Sequence, residues 1–377
     1  MKDREQRGFR TWVEINKDAI RANYRTFRSL LRPEVKFMAV VKSNAYGHGM
    51  VEYAKELDSL GADWLGVDEL SEAITLRKAG IKKPILVLGF TSPEGFVLAS
   101  ENDISVTISN FTSLNAVSTL KTKLPKIHIK IDTGLHRQGF LLPELPDVLS
   151  SLLASRSPLA VEGLYTHFAA AESPSSPYSL EQINQFKLCR DQFMQAGFSL
   201  IAHTAGTAAT MLLPESHFDM VRVGIGLYGL WPSSEVKQYA EKRIALDPVL
   251  SWKAIVGDVK SLKCGDKIGY DLTETVSRDS RVAICGIGYW HGFFRSLSSK
   301  GIVGIHGKPA KVLGRVSMDM IVLDVTDIPE VQTGDEVVII GNSEKNNFSA
   351  EVLAETAGTI NYEIVTRINP LIPRIYA

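Results

Sequence analysis

Along the first two thirds of the chain, short apolar runs alternate with longer stretches whose apolar residues recur every three to four positions. The runs fall near residues 35–41, 63–67, 85–88, 104–108, 126–131, 160–166, 199–203 and 219–223. Val35, Phe37, Met38, Ala39, Val40 and Val41 lack the alternation of a half-exposed strand and read as a strand buried on both faces. Between the runs, helical spacing marks residues 50–60, 69–79, 111–121 and 179–196. Another helix precedes the first strand, with Ile20, Tyr24, Phe27, Leu30 and Leu31 on one face and Asn16 or Asp18 as its cap. Eight strands alternating with helices predict a parallel sheet closed into a TIM-type (β/α)8 barrel.

Beyond about Leu246 the period changes. Short β-like runs at 253–260, 281–289, 310–317, 320–325 and 334–341, punctuated by Gly and Asp, predict a mostly-β unit. One helix is expected near 349–358, opened by Ser349. The chain therefore reads as an α/β protein of two domains, a barrel over 14–246 and a C-terminal β domain over 247–377. Asp247-Pro248 marks the linker, and residues 1–13 are a candidate extension of the second domain.

Composition narrows the function classes. With 377 residues, 45% of them hydrophobic, the chain can bury cores of this size. Basic and acidic residues balance at 42 each, which leaves no electrostatic footprint for nucleic acid or an acidic membrane. No apolar stretch approaches the roughly 18 residues of a membrane helix, and M-K-D-R-E-Q-R-G-F-R lacks the apolar core of a signal peptide. A soluble, cytoplasmic protein is expected. Cys189, Cys264 and Cys285 are isolated, which argues against a disulfide framework and against a zinc site; no metal is expected.

A barrel collects its reactive groups just after its strands. Lys42 follows the first strand in A-V-V-K-S-N-A-Y-G-H-G. Lys130, Asp132 and Arg137 end the fifth, and His167 ends the sixth in L-Y-T-H-F. His203, Thr204 and Thr207 follow the seventh, and Arg222, Gly224 and Gly226 end the eighth. A lysine at the mouth of an apolar strand is costly as a free ammonium, and desolvation favours the amine, a nucleophile for carbonyls. Thr207 and Gly224-Ile225 fall where such barrels bind phosphate, in loops whose small residues let backbone N–H groups reach an anion. Tyr270, Tyr289 and Tyr362 lie in the second half, as packing tyrosines or as phenols acting as ligand or acid–base groups.

These segments carry a resemblance. A-V-V-K-S-N-A-Y-G-H-G, K-I-D-T-G-L-H-R-Q-G-F, Y-T-H-F-A, D-M-V-R-V-G-I-G-L-Y-G, G-R-V-S-M-D and T-I-N-Y-E, in this order, resemble the pyridoxal-phosphate-dependent alanine racemases over essentially the whole chain. The resemblance implies interconversion of L- and D-alanine with pyridoxal 5'-phosphate, supplying D-alanine for peptidoglycan, by a homodimer acting on a small amino acid. It implies that Lys42 binds the cofactor aldehyde and that Tyr270, delivered from the partner subunit, is the second base. Tyr46, Thr207, Gly224, Ile225 and Tyr362 resemble the phosphate cradle, and Arg222 the arginine facing the pyridine nitrogen. Arg137 and Met318, the latter through its N–H, resemble the substrate-carboxylate contacts. Lys130 matches a position often carbamylated; the residue-level alternative is a plain lysine partnered by Asp132 or solvent. His167, His203, Tyr289 and Asp319 fall around the cofactor or at the entrance.

Racemisation moves a proton between opposite faces of one carbon, which suits two bases better than one. The expected pair is Lys42 and Tyr270, with a hydrogen-bond chain from Tyr270 through His167 to Arg222 stabilising the ionised phenol. Gly206, Leu135, Trp290 and His291 depart from the usual residues of the family and bear on substrate range. The alternatives are a racemase of serine or broader small amino acids, a related decarboxylase of basic amino acids, and a non-catalytic pyridoxal-phosphate carrier. The decarboxylase expects an acidic residue in place of Arg222 and a catalytic cysteine in the second domain, where Cys264 and Cys285 lie in strand-like segments.

Overall fold

The computed structural model describes residues 8–155, 159–342 and 347–377. Among them the eight apolar runs form eight parallel strands: β1 (Lys36–Val40), β2 (Trp64–Val67), β3 (Ile85–Val87), β4 (Ser105–Ile108), β5 (Ile127–Asp132), β6 (Val161–Tyr165), β7 (Ile201–His203) and β8 (Met220–Val223). The ladder runs β8-β1-β2-β3-β4-β5-β6-β7. Its two ends are joined by the Asp219 N–H donating to the Ala202 carbonyl (3.0 Å), the Ala202 N–H donating to the Asp219 carboxylate (2.8 Å) and the Arg222 N–H donating to the Ala205 carbonyl (2.9 Å). A side chain thus helps the backbone complete the ring beside the three-residue strand β7.

Strand alternation divides the interior by level. Met38, Trp64, Leu86 and Met220 form an apolar cluster with Leu88 and Ile201 against it. Other inward positions are polar: Thr107, His128, Lys130, Tyr165, His203 and Arg222 are all buried. The sequence I-H-I-K-I-D of β5 shows the period, placing His128, Lys130 and Asp132 on one face. Gly163 of β6 makes room for this layer, since a Cβ there would lie 2.2 Å from His128 Nδ1.

The chain divides into two compact units. One comprises Asp18–Ala45 and Met50–Asp247; the other comprises Tyr46–Gly49, Pro248–Ala377 and the described residues through Lys17. The second unit is built on the long strand Leu250–Leu262, which pairs antiparallel with Thr11–Ile15, Ser280–Cys285 and Glu336–Asn342. An irregularity between Val256 and Asp258 marks where the pairing with Ser280–Cys285 shifts register. Arg374–Tyr376 adds in parallel to Thr11–Ile15. The expected helix behind Ser349 spans Ala350–Ala357, with the Ser349 side chain accepting from the Val352 N–H.

Some elements differ from the sequence reading. Leu30 and Leu31 fall beyond the first helix, Lys17–Ser29. Helices Gly95–Glu101, Leu145–Leu153, Thr207–Leu212 and Asn361–Thr366 and strand Ile302–Ile305 carry signals too short or too interrupted by Gly and Pro to read. Cys264 lies in an exposed turn rather than a strand, held by its N–H to Asp279.

Candidate active site

The backbone carrying Lys42 turns the wrong way for a helix of L-residues. Ser43 (φ 54°, ψ 52°), Asn44 (56°, 44°) and Ala45 (51°, 53°) form a left-handed turn that Tyr46 (φ 50°) continues. Each such residue costs about 1–2 kcal/mol, so the turn persists only under external restraint. The Asn44 side chain accepts from the Met50 N–H (3.0 Å). Glu72 accepts from the N–H groups of Ser43 (2.6 Å) and Asp68 (2.8 Å), tying the loop after β1 to the loop after β2. Lys42 Nζ lies 2.9 Å from Asp68 Oδ1, with about a third of the side chain exposed. Isolation from water, expected from the strand, is therefore not what prepares this lysine: it is held by an ion pair.

Arg222 organises the polar layer. Its Nη1 donates to the His203 carbonyl (2.8 Å) and to His203 Nδ1 (2.9 Å). Its Nη2 donates to the carbonyls of Thr166 (2.8 Å) and Thr204 (3.0 Å) and to His167 Nδ1 (3.3 Å). Among the described residues no carboxylate pairs with this guanidinium, and its Nε–H makes no hydrogen bond. Burial lowers its pKa to about 10, still leaving it charged at neutral pH. The same burial, with Arg222 beside it, pushes His167 down to about 3 and His203 well below its usual value, so both imidazoles are neutral. Tyr165 stacks on His203 at 4.7 Å, and burial lifts its phenol to about 12.

Lys130 is buried and donates to Gln138 Oε1 (2.9 Å). Neither Asp132 nor solvent is its partner. The Asp132 carboxylate is occupied by the N–H groups of Gly134, His136 and Arg137 at 2.9–3.0 Å and shapes that loop. Burial, followed by the charges of Arg222 and Arg137, brings Lys130 down to about 7. Arg137 is exposed, and its guanidinium makes no hydrogen bond among the described residues. Lys42, Lys130, Arg137 and Arg222 thus form a cationic group suited to an anionic ligand.

At the next two strand ends, Thr207 opens the helix Thr207–Leu212 and its Oγ1 accepts from the Gly224 N–H (3.0 Å). Ile225 begins a one-turn helix, Ile225–Tyr228, whose first N–H groups have no partner within the turn. Gly206 precedes Thr207 without a capping side chain.

In the second unit, the Tyr46 and Tyr362 rings lie 6.2 Å apart. Tyr270 stands on the short turn Tyr270–Leu272, 68% exposed, and Asp271 beside it pairs with Arg315. Met318 is exposed, its carbonyl accepts from the Trp290 N–H (3.0 Å), and its own N–H makes no hydrogen bond among the described residues. Tyr289 is half-exposed on the turn Tyr289–His291, and Asp319 lies 4.0 Å from His291.

Residues 15–232 match the family pattern described as alanine racemase, N-terminal domain, and residues 249–376 match alanine racemase, C-terminal domain. The chain belongs to the alanine racemase family. As a racemase it is an isomerase, and its relatives span it almost end to end. The alanine racemase of Desulforamulus reducens is 40% identical over 369 residues, covering 97% of this chain and 98% of the relative. That of Methanococcus maripaludis is 40% identical over 370 residues, covering 97% and 98%. The alanine racemase structure from Bacillus anthracis, with bound L-Ala-P, superposes with a TM-score of 0.93 at 37% identity, covering 98% of this chain and 95% of that one.

Cysteine chemistry of the decarboxylase kind finds no support in this racemase. Cys285 is fully buried and pushed up to about 12, and Cys264 sits in an exposed turn. The sequence reading missed several members of the site: Asp68 beside Lys42, Glu72 under its loop, Gln138 on Lys130, Tyr165, and His128 with Glu162 beneath His203. His128 had a readable signal, the I-H-I-K-I-D alternation. Gln138 and Glu72 had none, because a single polar residue in a loop or first helical turn looks like any solvated one.

Proposed function

We propose that the chain interconverts L- and D-alanine with pyridoxal 5'-phosphate, using Lys42 and Tyr270 as bases on opposite faces of the substrate carbon. The observation that carries this is Arg222: a buried guanidinium held by carbonyls and neutral imidazoles, with its Nε–H uncommitted and no carboxylate paired with it among the described residues. That donor suits a pyridine nitrogen kept unprotonated, whereas an acidic residue would protonate it and deepen the electron sink. The donor set fits the rest of the cofactor. Lys42 offers a primary amine to the aldehyde, and Thr207, Gly224 and Ile225 of the barrel with Tyr46 and Tyr362 would hold the phosphate. When bound, pyridoxal phosphate supplies the electron-accepting ring that makes the substrate Cα–H acidic.

The protein's own groups do the rest. The Arg137 guanidinium and the Met318 N–H, which make no hydrogen bond among the described residues, would bind the substrate carboxylate. Lys42 Nζ takes or returns the proton on one face and Tyr270 Oη on the other. His167 accepts from Arg222 at Nδ1 and is neutral, so its Nε2 carries the proton and can donate to an ionised phenol. The exposure of Tyr270 in its own chain supports delivery to the partner subunit of a homodimer. Lys130, as an amine, attacks carbon dioxide: an N–C bond forms as one C–O π bond opens onto oxygen, the nitrogen gives its proton to water, and the resulting carbamate pairs with Arg137. D-Alanine so made serves peptidoglycan in the cytoplasm.

Chiral analysis of the purified protein with pyridoxal phosphate tests the reading. D-Alanine should form from L-alanine, and Lys42→Ala should form none. L-Serine should react more slowly by a factor within about 10–200. Carbon dioxide release from L-lysine without D-alanine would replace this reading with decarboxylation.

A further inference from the structure

Beneath Arg222 a line of buried polar groups continues through the barrel, and nothing in the reaction above uses it. His203 Nε2 lies 2.9 Å from His128 Nδ1, and His128 Nε2 lies 3.4 Å from Glu162 Oε2, which also accepts from Ser105 Oγ at 2.8 Å. Both imidazoles are fully buried, while the Glu162 side chain is 23% exposed at the amino-terminal end of the barrel. Other neighbours are the Tyr165 ring on His203, the Trp64 ring on His128 at 5.3 Å, and Gly163, whose missing Cβ leaves the space His128 occupies.

The hydrogen positions follow from the donors. A guanidinium only donates, so His203 Nδ1, facing Arg222 Nη1, must present a lone pair. A neutral ring with a lone pair at Nδ1 carries its proton at Nε2 and gives it to His128 Nδ1. His128 then carries its own proton at Nε2, facing the only carboxylate of the line. Every bond points the same way, from Arg222 to Glu162, and each polarises the next.

We infer that Glu162 and His128 are positioning residues that reinforce, from the far side of the ring, the His203 tautomer that Arg222 requires, and thereby help hold Arg222 with its Nε–H facing the cofactor site. The arrangement keeps the counter-charge two imidazoles away from the guanidinium, so Arg222 is oriented without being neutralised. Reversal of the line would set an N–H of His203 against the N–H of Arg222, and the arginine would have to turn. The consequence for catalysis rests on the function proposed above; the tautomer itself does not.

The test is histidine-selective 15N NMR of the purified full chain with pyridoxal phosphate, beside steady-state kinetics, for wild type, Glu162→Ala, His128→Leu and His128→Gln. In wild type both rings should show the Nε2–H pattern. In His128→Leu, His203 should shift to a mixture of tautomers and kcat should fall about tenfold with KM for alanine unchanged, as for other supporting groups around a reactive centre. Glu162→Ala, altered at a partly exposed residue, should give the same shift in smaller degree. His128→Gln, which can accept from His203 and donate to Glu162, should restore both readouts. A wild-type His128 protonated at Nδ1, or a His203 pattern unmoved in both His128→Leu and Glu162→Ala, overturns the inference. If the tautomers respond as expected in a protein that makes no D-alanine, the line stands and the proposed reaction fails.

Discussion

Lys130 is buried beside Arg222, Arg137 and Lys42, and burial first, then those charges, makes a further charge there costly and favours its amine. With a pKa of about 7, roughly nine-tenths of it is ammonium at pH 6 and roughly nine-tenths is amine at pH 8. Only the amine attacks carbon dioxide, so the carbamate should increase as pH rises through 7. With 13C-bicarbonate, a carbamate carbon signal should grow between pH 6 and 8 and be missing in Lys130→Ala; a signal equal at both pH values would contradict the assignment. The Gln138 amide, which now accepts from Lys130, can turn to donate to the carbamate. At this scale the sequence reading picked out Lys42, Lys130 and Arg222, which the structure gathers at the strand ends, because a barrel presents such groups there. It missed their partners: Gln138 and Asp68 reach the site from loops whose paths no periodicity encodes.

At the level of elements, Glu72 sits in the first turn of the helix Leu70–Lys78 and satisfies amides in two loops at once. Glu72→Ala should lower stability by about 1–3 kcal/mol, the cost of amides left without acceptors, and should speed cofactor loss as the left-handed turn relaxes. Chemical denaturation and dialysis followed by absorbance would measure the two effects; unchanged cofactor retention would separate the turn from cofactor binding. Gly163→Ala drives a methyl into His128 and should cost about 1–3 kcal/mol of stability. A melting temperature within a degree of wild type would refute that packing. Strands such as Lys36–Val40 and Ile85–Val87 were legible because burial on both faces writes continuous apolar runs, and Ile127–Asp132 because its polar residues alternate with isoleucines. The turn Ser43–Tyr46 was not, because Ser, Ala and Tyr carry no sign of positive φ and a single Asn, which tolerates it, does not mark a four-residue left-handed turn. Nor was Thr11–Ile15, whose antiparallel partner begins more than 230 residues away at Leu250.

For the molecule as a whole, the proposed delivery of Tyr270 from a partner subunit would make activity a property of two chains. Leu272, Trp290, Met318 and Met320 in the same unit are also more than half exposed in the single chain. Lys42→Ala and Tyr270→Phe should each abolish or nearly abolish racemisation, yet mixing them should restore it. Random pairing makes half the dimers mixed, each with one intact site of two, so recovery of about a quarter of wild-type activity is expected. No recovery in verified mixed dimers would place Tyr270 in the site of its own chain. The order of a barrel and then a β unit was legible from the change of period near Leu246. The homodimer is implied by the family resemblance alone, since exposed aromatics in one sequence do not say what covers them.

The most direct measurement of the central claim follows Cα–H exchange in deuterium oxide, starting separately from L- and D-alanine, in the Tyr270→Phe variant. With a lysine amine on one face and a phenol on the other, this variant should still exchange the α-proton of one enantiomer while exchange of the other falls by at least about a hundredfold, the usual worth of a positioned acid–base group. Equal loss from both enantiomers, or no loss from either, would contradict a two-base reaction.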